Sequence, residues 1–293
     1  INKCPLCGGS QFEQEITCKD YYATGESFKI CRCKACGFQF TQSAPVESEI
    51  GRYYESPDYI SHSNTHKGLM NRVYHYVRRY MLSRKAHLIK RTSRINSGRL
   101  LDIGTGTGYF CHFMQKKGWN VSAVEKSAQA REFASAHFGL SIDPPEALEK
   151  YKESSFDVIT LWHVMEHLEH LNETWDLLNR LLNDRGVLVI AVPNPNSFDA
   201  AKYKEMWAAY DVPRHLWHFT PSTIQQFGAK HGFILTERIP MPFDAFYVSM
   251  LSEKYQKSRF PFAKGLITGT RAGVASLIKK EQSSSMIYVF RKK

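Results

Sequence analysis

Residues Arg99–Phe110 read RLLDIGTGTGYF. An apolar run meets a carboxylate, Asp102, and then glycines at 104, 106 and 108. A strand that ends this way turns tightly over a nucleotide-like ligand. A dinucleotide fingerprint is spaced G-x-G-x-x-G, so that a helix N-terminus can hold a pyrophosphate. Here the spacing is G-x-G-x-G, and Asp102 would repel a pyrophosphate. No Gly-Lys-Ser/Thr follows, which excludes a P-loop. A cationic, nucleoside-bearing ligand fits instead. Gly104, Thr105 and Gly106 let the backbone approach it, and Asp102 faces its charged end. Glu125 closes the next strand, VSAVEKS, where a carboxylate takes ribose hydroxyls.

Outward from this stretch, strands and helices alternate. WNVSAVEKS reads as a strand, SAQAREFASAHFG as a helix and LSI as a short strand. SFDVITLW reads as a strand, NETWDLLNRLLN as a helix, and DRG as the turn into the strand VLVIAVPN. This alternation predicts a parallel, doubly wound α/β sheet. GFILTERIPM and SSMIYVFRKK read as two further strands, with residues 245–281 between them helical. Upstream, Leu69 to about Arg94 has apolar residues near helical spacing (Val73, Val77, Tyr80, Met81, Leu88) and a basic opposite face.

LDIGTGTGYF, VSAVEKS, FDVITLWHVMEHL and LLNDRGVLVIAVPN, in this order, resemble the class I S-adenosylmethionine-dependent methyltransferases. The resemblance covers roughly residues 99–240. It implies a Rossmann-like sheet of seven strands, the last antiparallel, with S-adenosylmethionine as cofactor. Carried over residue by residue, Asp102, Gly104 and Gly106 line the methionine end and Glu125 binds ribose. Ile142–Pro144 flank adenine, and Trp162 and His163 border the donor.

Two histidine-rich stretches bear on the acceptor. His163, Glu166 and His167 have i, i+3, i+4 spacing and can share a helical face. Some quinone-type O-methyltransferases and small-RNA methyltransferases carry a similar Glu-x-x-Glu-His that binds a divalent metal. Here His163 replaces the first Glu, and the metal stays an open alternative. YDVPRHLWHFTPSTI, Tyr210–Ile224, resembles the Glu-His stretch of sugar C-methyltransferases. There His215 stands in the place of the base, and Arg214 replaces the acid and can fork onto an acceptor carboxylate or phosphate. VPNPNSF lacks the Asn-Pro-Pro-Tyr pattern of base-amine methylation.

Six of seven cysteines precede residue 37. Cys4-Pro-Leu-Cys7-Gly8 and Cys33-Lys-Ala-Cys36-Gly37 are two knuckles whose two-residue gaps let paired thiolates face one tetrahedral ion. They predict a structural zinc ribbon, with Cys31 an alternative to Cys33. Cys18 and Cys111 read as buried thiols. The chain then divides into a zinc ribbon (1–45), a linker and helical cap (46–97) and a methyltransferase domain (98–293).

Net charge is +11, from 39 basic and 28 acidic residues, which suits an anionic partner. No run of about 18 apolar residues predicts a membrane span, and INKCPLCGGS reads as no apolar secretion segment, so a cytoplasmic protein is expected. The expected acceptor is a small molecule or saccharide-linked compound, methylated on O or C. RNA held by the ribbon and basic helix is the alternative, and a scaffold that has lost catalysis is the third.

Overall fold

A computed structural model of the protein describes residues 1–46, 48–54 and 69–293, and the side chains of 69–74 are not among the described parts. Most of the polar, aromatic run between Gly51 and Gly68 therefore lies outside the described residues, as does the side chain of Val73.

The N-terminal segment forms β1 (Phe12–Lys19), β2 (Ser27–Cys33) and β3 (Gln39–Gln42). The three pair antiparallel in sequence order, with a bulge between Gln14 and Ile16. A basic helix, α1 (Leu69–Ser93), follows. Then come β4 (Arg99–Ile103), α2 (Tyr109–Lys116), β5 (Asn120–Val124), α3 (Ala128–Phe138) and β6 (Phe156–Trp162). Helix α4 (Leu171–Leu181) runs directly into β7 (Leu182–Pro193), so the expected Asp184–Gly186 turn is absorbed into the strand. The chain continues through α5 (Phe198–Tyr203), β8 (Trp217–His218), α6 (Pro221–Lys230) and β9 (Phe233–Pro240). It ends with α7 (Asp244–Tyr255), α8 (Pro261–Ile278) and β10 (Ser285–Lys292).

The larger sheet has the order β5-β4-β6-β7-β10-β9, with β4 parallel to both β5 and β6. It has six strands rather than seven. The expected strand at Leu140–Ile142 is reduced to one parallel bridge, Val124 to Asp143. Pro144 and Pro145 follow at once, and proline has no N–H with which to extend a ladder.

The chain divides into two compact units, Ile1–Tyr59 with His163–Trp175 and Ala191–Tyr288, and Ile60–Trp162 with Asp176–Ile190 and Val289–Lys293. In the second unit, Leu100, Leu101, Val158, Ile159 and Leu161 are fully buried. Such continuous apolar runs mark central parallel strands covered on both faces. Ile89 of α1 and Phe110 and Met114 of α2 pack on them with Trp119. In the first unit, β3 takes β8 as a fourth strand, Gln39 opposite His218 and Phe40 opposite Trp217. The ring of Phe38 lies against Trp217, Phe219 and Phe227. The cysteine segment therefore shares one core with residues 217–227.

Candidate functional site

In the second unit, the glycine loop after β4 forms a cradle. Gly106 and Gly108 have φ of 57° and 79°, a left-handed region costly for any residue with a Cβ. A Cβ on Gly106 would meet no heavy atom within 4 Å, so the loop borders open space there. A Cβ on Gly108 would stand 2.9 Å from Ala134 and Leu140, so that glycine lets α2 close on α3. Asp102 is buried, accepts 2.5 Å from Thr160 Oγ1 and faces the Cys111 thiol at 3.6 Å. Burial raises its pKa, against the hydrogen bond from Thr160 and the nearby charge of Lys85. Both Glu125 oxygens hold backbone: Oε2 accepts from Gly106 N at 2.8 Å and Oε1 from Ser127 N at 2.9 Å. Glu125 therefore ties the loop down, and each oxygen keeps a lone pair for a ligand. Trp162 closes β6 with its indole N–H buried and without an acceptor among the described residues. Lys85 Nζ lies 4.2 Å from the centroid of its ring. Lys85 and Thr160 were not marked by sequence, because neither sits in a local pattern.

In the first unit, a second cluster assembles around a short 3₁₀ turn, Met165–His167. The expected single helical face does not form. His163 has φ of 58°, a strained conformation for a residue with a Cβ. Its Nε2 lies 3.1 Å from Asp244 and its Nδ1 3.4 Å from Glu166. Burial opposes its charge, but the hydrogen bond with Asp244 and the Glu166 carboxylate raise its pKa to about 10. His163 is thus an imidazolium pinned between two carboxylates.

Glu166 is 1% exposed. Burial works against its charge, yet His163 and the neighbouring histidines keep its pKa low. Neither of its oxygens accepts a hydrogen bond among the described residues. Glu166, His167 and His215 bring one donor atom each within 4.8 Å of one another. The imidazole Nδ1 of His167 donates to Arg214 O at 3.0 Å and that of His215 to Ala209 O at 2.9 Å. These carbonyls leave the lone pair of each ring on Nε2. Burial, with the nearby His215 ring, lowers the His167 pKa to about 4, so it is neutral at pH 7. His218 is lowered to about 3 by burial, faces Thr41 Oγ1 at 3.0 Å and serves packing.

Arg214 does not offer its fork to a ligand. It is 5% exposed, and it donates to Asp211 at 3.0 and 2.6 Å, to Asp20 at 3.0 Å and to Tyr53 O at 2.7 Å. Four of the five guanidinium N–H groups are engaged, so the expected anchoring of an acceptor anion gives way to an internal ion pair. Asp20 and Asp244 carried no sequence signal, since their partners lie far along the chain, and Asp211, three residues before Arg214, was not marked.

The four thiols of Cys4, Cys7, Cys33 and Cys36 also gather within 4.8 Å of one another, and Cys31 is not among them. The two knuckles have matching geometry: Gly8 N donates to Cys4 O and Gly37 N to Cys33 O, both at 2.8 Å.

Residues 75–238, more than half of the chain, match the family model described as a methyltransferase domain. The chain belongs to this methyltransferase family. A ubiquinone biosynthesis O-methyltransferase from Rhodopseudomonas palustris (strain HaA2) is 26% identical over 170 residues, 53% of this chain and 66% of that protein. One from Maricaulis maris (strain MCS10) is 32% identical over 131 residues, 41% of this chain and 52% of that protein. The chain thus spans less than two-thirds of the length of these relatives. The structure of a SAM-dependent methyltransferase from Archaeoglobus fulgidus matches with a TM-score of 0.50 at 20% identity, over 73% of this chain and 94% of that one. The α/β methyltransferase fold expected from Arg99–Phe110 is borne out.

Proposed function

We propose that the protein transfers a methyl group from S-adenosylmethionine to an oxygen or activated carbon of a small-molecule or saccharide-linked acceptor. The curated relatives, named for ubiquinone biosynthesis O-methylation, favour oxygen. The bound sulfonium would supply the electrophilic methyl. Asp102, Gly104, Thr105 and Gly106 would hold its amino acid end, Glu125 its ribose, and Trp162 and His163 would border it. The single observation behind the acceptor chemistry is His215. Its Nδ1 is fixed on Ala209 O, which leaves Nε2 to accept the acceptor's proton.

The buried carboxylate of Glu166, ion-paired to His163 but accepting no hydrogen bond among the described residues, favours a second reading of the same cluster. Glu166 with His167 and His215 would hold a divalent cation, which lowers the pKa of a bound hydroxyl. Cys4, Cys7, Cys33 and Cys36 would hold a structural zinc ion.

The test is methyl-labelled donor incubated with fractionated cell extract, with and without RNase. Label in an RNase-resistant small-molecule or glycan fraction supports the reading. Label lost to RNase transfers the acceptor to RNA, with the ribbon and basic α1 as its clamp. If His215→Ala retains transfer while metal content is unchanged, His215 is not the base.

A further inference from the structure

Helix α8 is built inside out. Its buried positions are small: Gly265, Thr268, Gly269, Ala272 and Ser276. They let α8 lie against α7 so closely that a Cβ on Gly265 would stand 2.6 Å from Met250, and one on Gly269 2.6 Å from Phe246. Its large apolar side chains face away from the protein. Phe262 is 69% exposed, Leu277 82% and Ile278 84%, with Leu266, Ile267 and Val274 all near half. At 3.6 residues per turn these six cover a sector about 160° wide. Exposed large apolar residues are ordinary when scattered, but a continuous stripe marks a surface that something covers.

The charge around the stripe says what. From Lys254 to Lys280 there are seven Lys and Arg residues and no Asp or Glu, and all seven are exposed. The nearest acids are already committed, Glu253 to Tyr203 and Lys202, and Glu281 to Arg238. A second copy of the chain would bring like charges together. Within the apolar sector the one hydroxyl, that of Thr270, already donates to Leu266 O, so the face presents no free directional donor to a protein partner. An apolar helix face with basic flanks is the arrangement of a helix lying in the plane of a bilayer surface. Among the described residues no helix is long and apolar enough to cross one.

We propose that α8 and its basic flanks dock the protein on an anionic lipid surface, with Phe262, Leu266, Val274 and Leu277 inserted among the acyl chains nearest the headgroups. Each large apolar side chain that enters the interface strengthens partitioning by roughly tenfold. Each basic residue near anionic lipid adds about fivefold, and salt screens that part.

The experiment is co-sedimentation of the full chain with vesicles of phosphatidylcholine alone or mixed with phosphatidylglycerol, alongside light scattering without lipid. Binding should require phosphatidylglycerol and weaken with salt. Phe262→Ser with Leu277→Ser should lower affinity by about tenfold or more. Lys264→Glu with Arg271→Glu should remove the preference for phosphatidylglycerol. All four positions are exposed, so thermal melting should be unchanged, which separates lost docking from lost folding. Absence of vesicle binding by the unaltered protein overturns the proposal, as does equal binding by the Ser variant. A dimer that the Ser substitutions dissociate, without vesicle binding, assigns the face to a second copy and also overturns it.

Discussion

Replacing Arg214 with methionine separates two roles for this residue. If Arg214 anchored an acceptor anion, Arg214→Met would raise KM and leave folding nearly untouched. The structure predicts the reverse. The change deletes four hydrogen bonds and leaves two carboxylates that faced a buried cation. Removing one partner of a buried pair costs about 3–5 kcal/mol. Here the lower end applies. Asp20 keeps the backbone N–H groups of Tyr22, Ala23 and Thr24 and the Thr24 hydroxyl, and Asp211 retains over a quarter of its surface for water. A loss of about 3 kcal/mol corresponds to a fall in Tm of roughly 6–12 °C for a chain this size. Asp20→Asn combined with Arg214→Met should recover part of it, because it neutralises the more deeply buried of the two unmatched carboxylates. Urea titration of the single and double variants measures both quantities. A loss below about 1 kcal/mol together with a raised KM would refute the reasoning and return Arg214 to the acceptor side.

His163, with its pKa raised to about 10, stabilises the fold fully below its unfolded value and loses that contribution as pH rises through about 10. His163→Gln should therefore lower Tm at pH 7 and converge on the unaltered protein above pH 10, and a pH series of thermal melts checks this. Cys33→Ser should lose one zinc ion per chain by elemental analysis and destabilise the β1–β3 segment, while Cys31→Ser should retain the metal. Glu125→Ala should weaken S-adenosylhomocysteine binding by about tenfold in calorimetry. It removes the proposed ribose acceptor and frees the Gly106 N–H from its present partner.

The glycine loop with Asp102 and Glu125 was legible because its parts are local. Asp102, the alternating glycines and Glu125 sit at the ends of adjacent parallel strands, and strand-turn-helix punctuation is written in consecutive residues. The knuckles were legible for the same reason, each being a five-residue unit. The histidine cluster was only half legible. HVMEH has helical spacing, but a 3₁₀ turn forms, and His163 turns away to an aspartate 81 residues later. His215 joins Glu166 and His167 only through tertiary pairing, Leu216 N donating to Glu166 O at 2.8 Å. Arg214 was misread because its fork closes on Asp211, three residues earlier, and on Asp20, 194 residues away, and the second partner leaves no local signal. The inverted face of α8 is visible as a pattern in the sequence. Which side is inward depends on the glycines that let α7 approach.

The antiparallel pairing of β3 with β8 makes the cysteine segment inseparable from the residues beside His215. Thr41 Oγ1 donates to His215 O at 2.7 Å, and Phe38 is packed among Trp217, Phe219 and Phe227. Evolution cannot trade such a module as a cassette. A homologue that discarded the knuckles would need a replacement edge for β8 and a new cover for three aromatic rings. Any lineage that keeps the Pro-Arg-His-Leu stretch in this geometry carries with it a demand for something in the place of β3. Were the four thiols to hold zinc as proposed, the histidine loop would share that requirement through the pairing of β3 with β8.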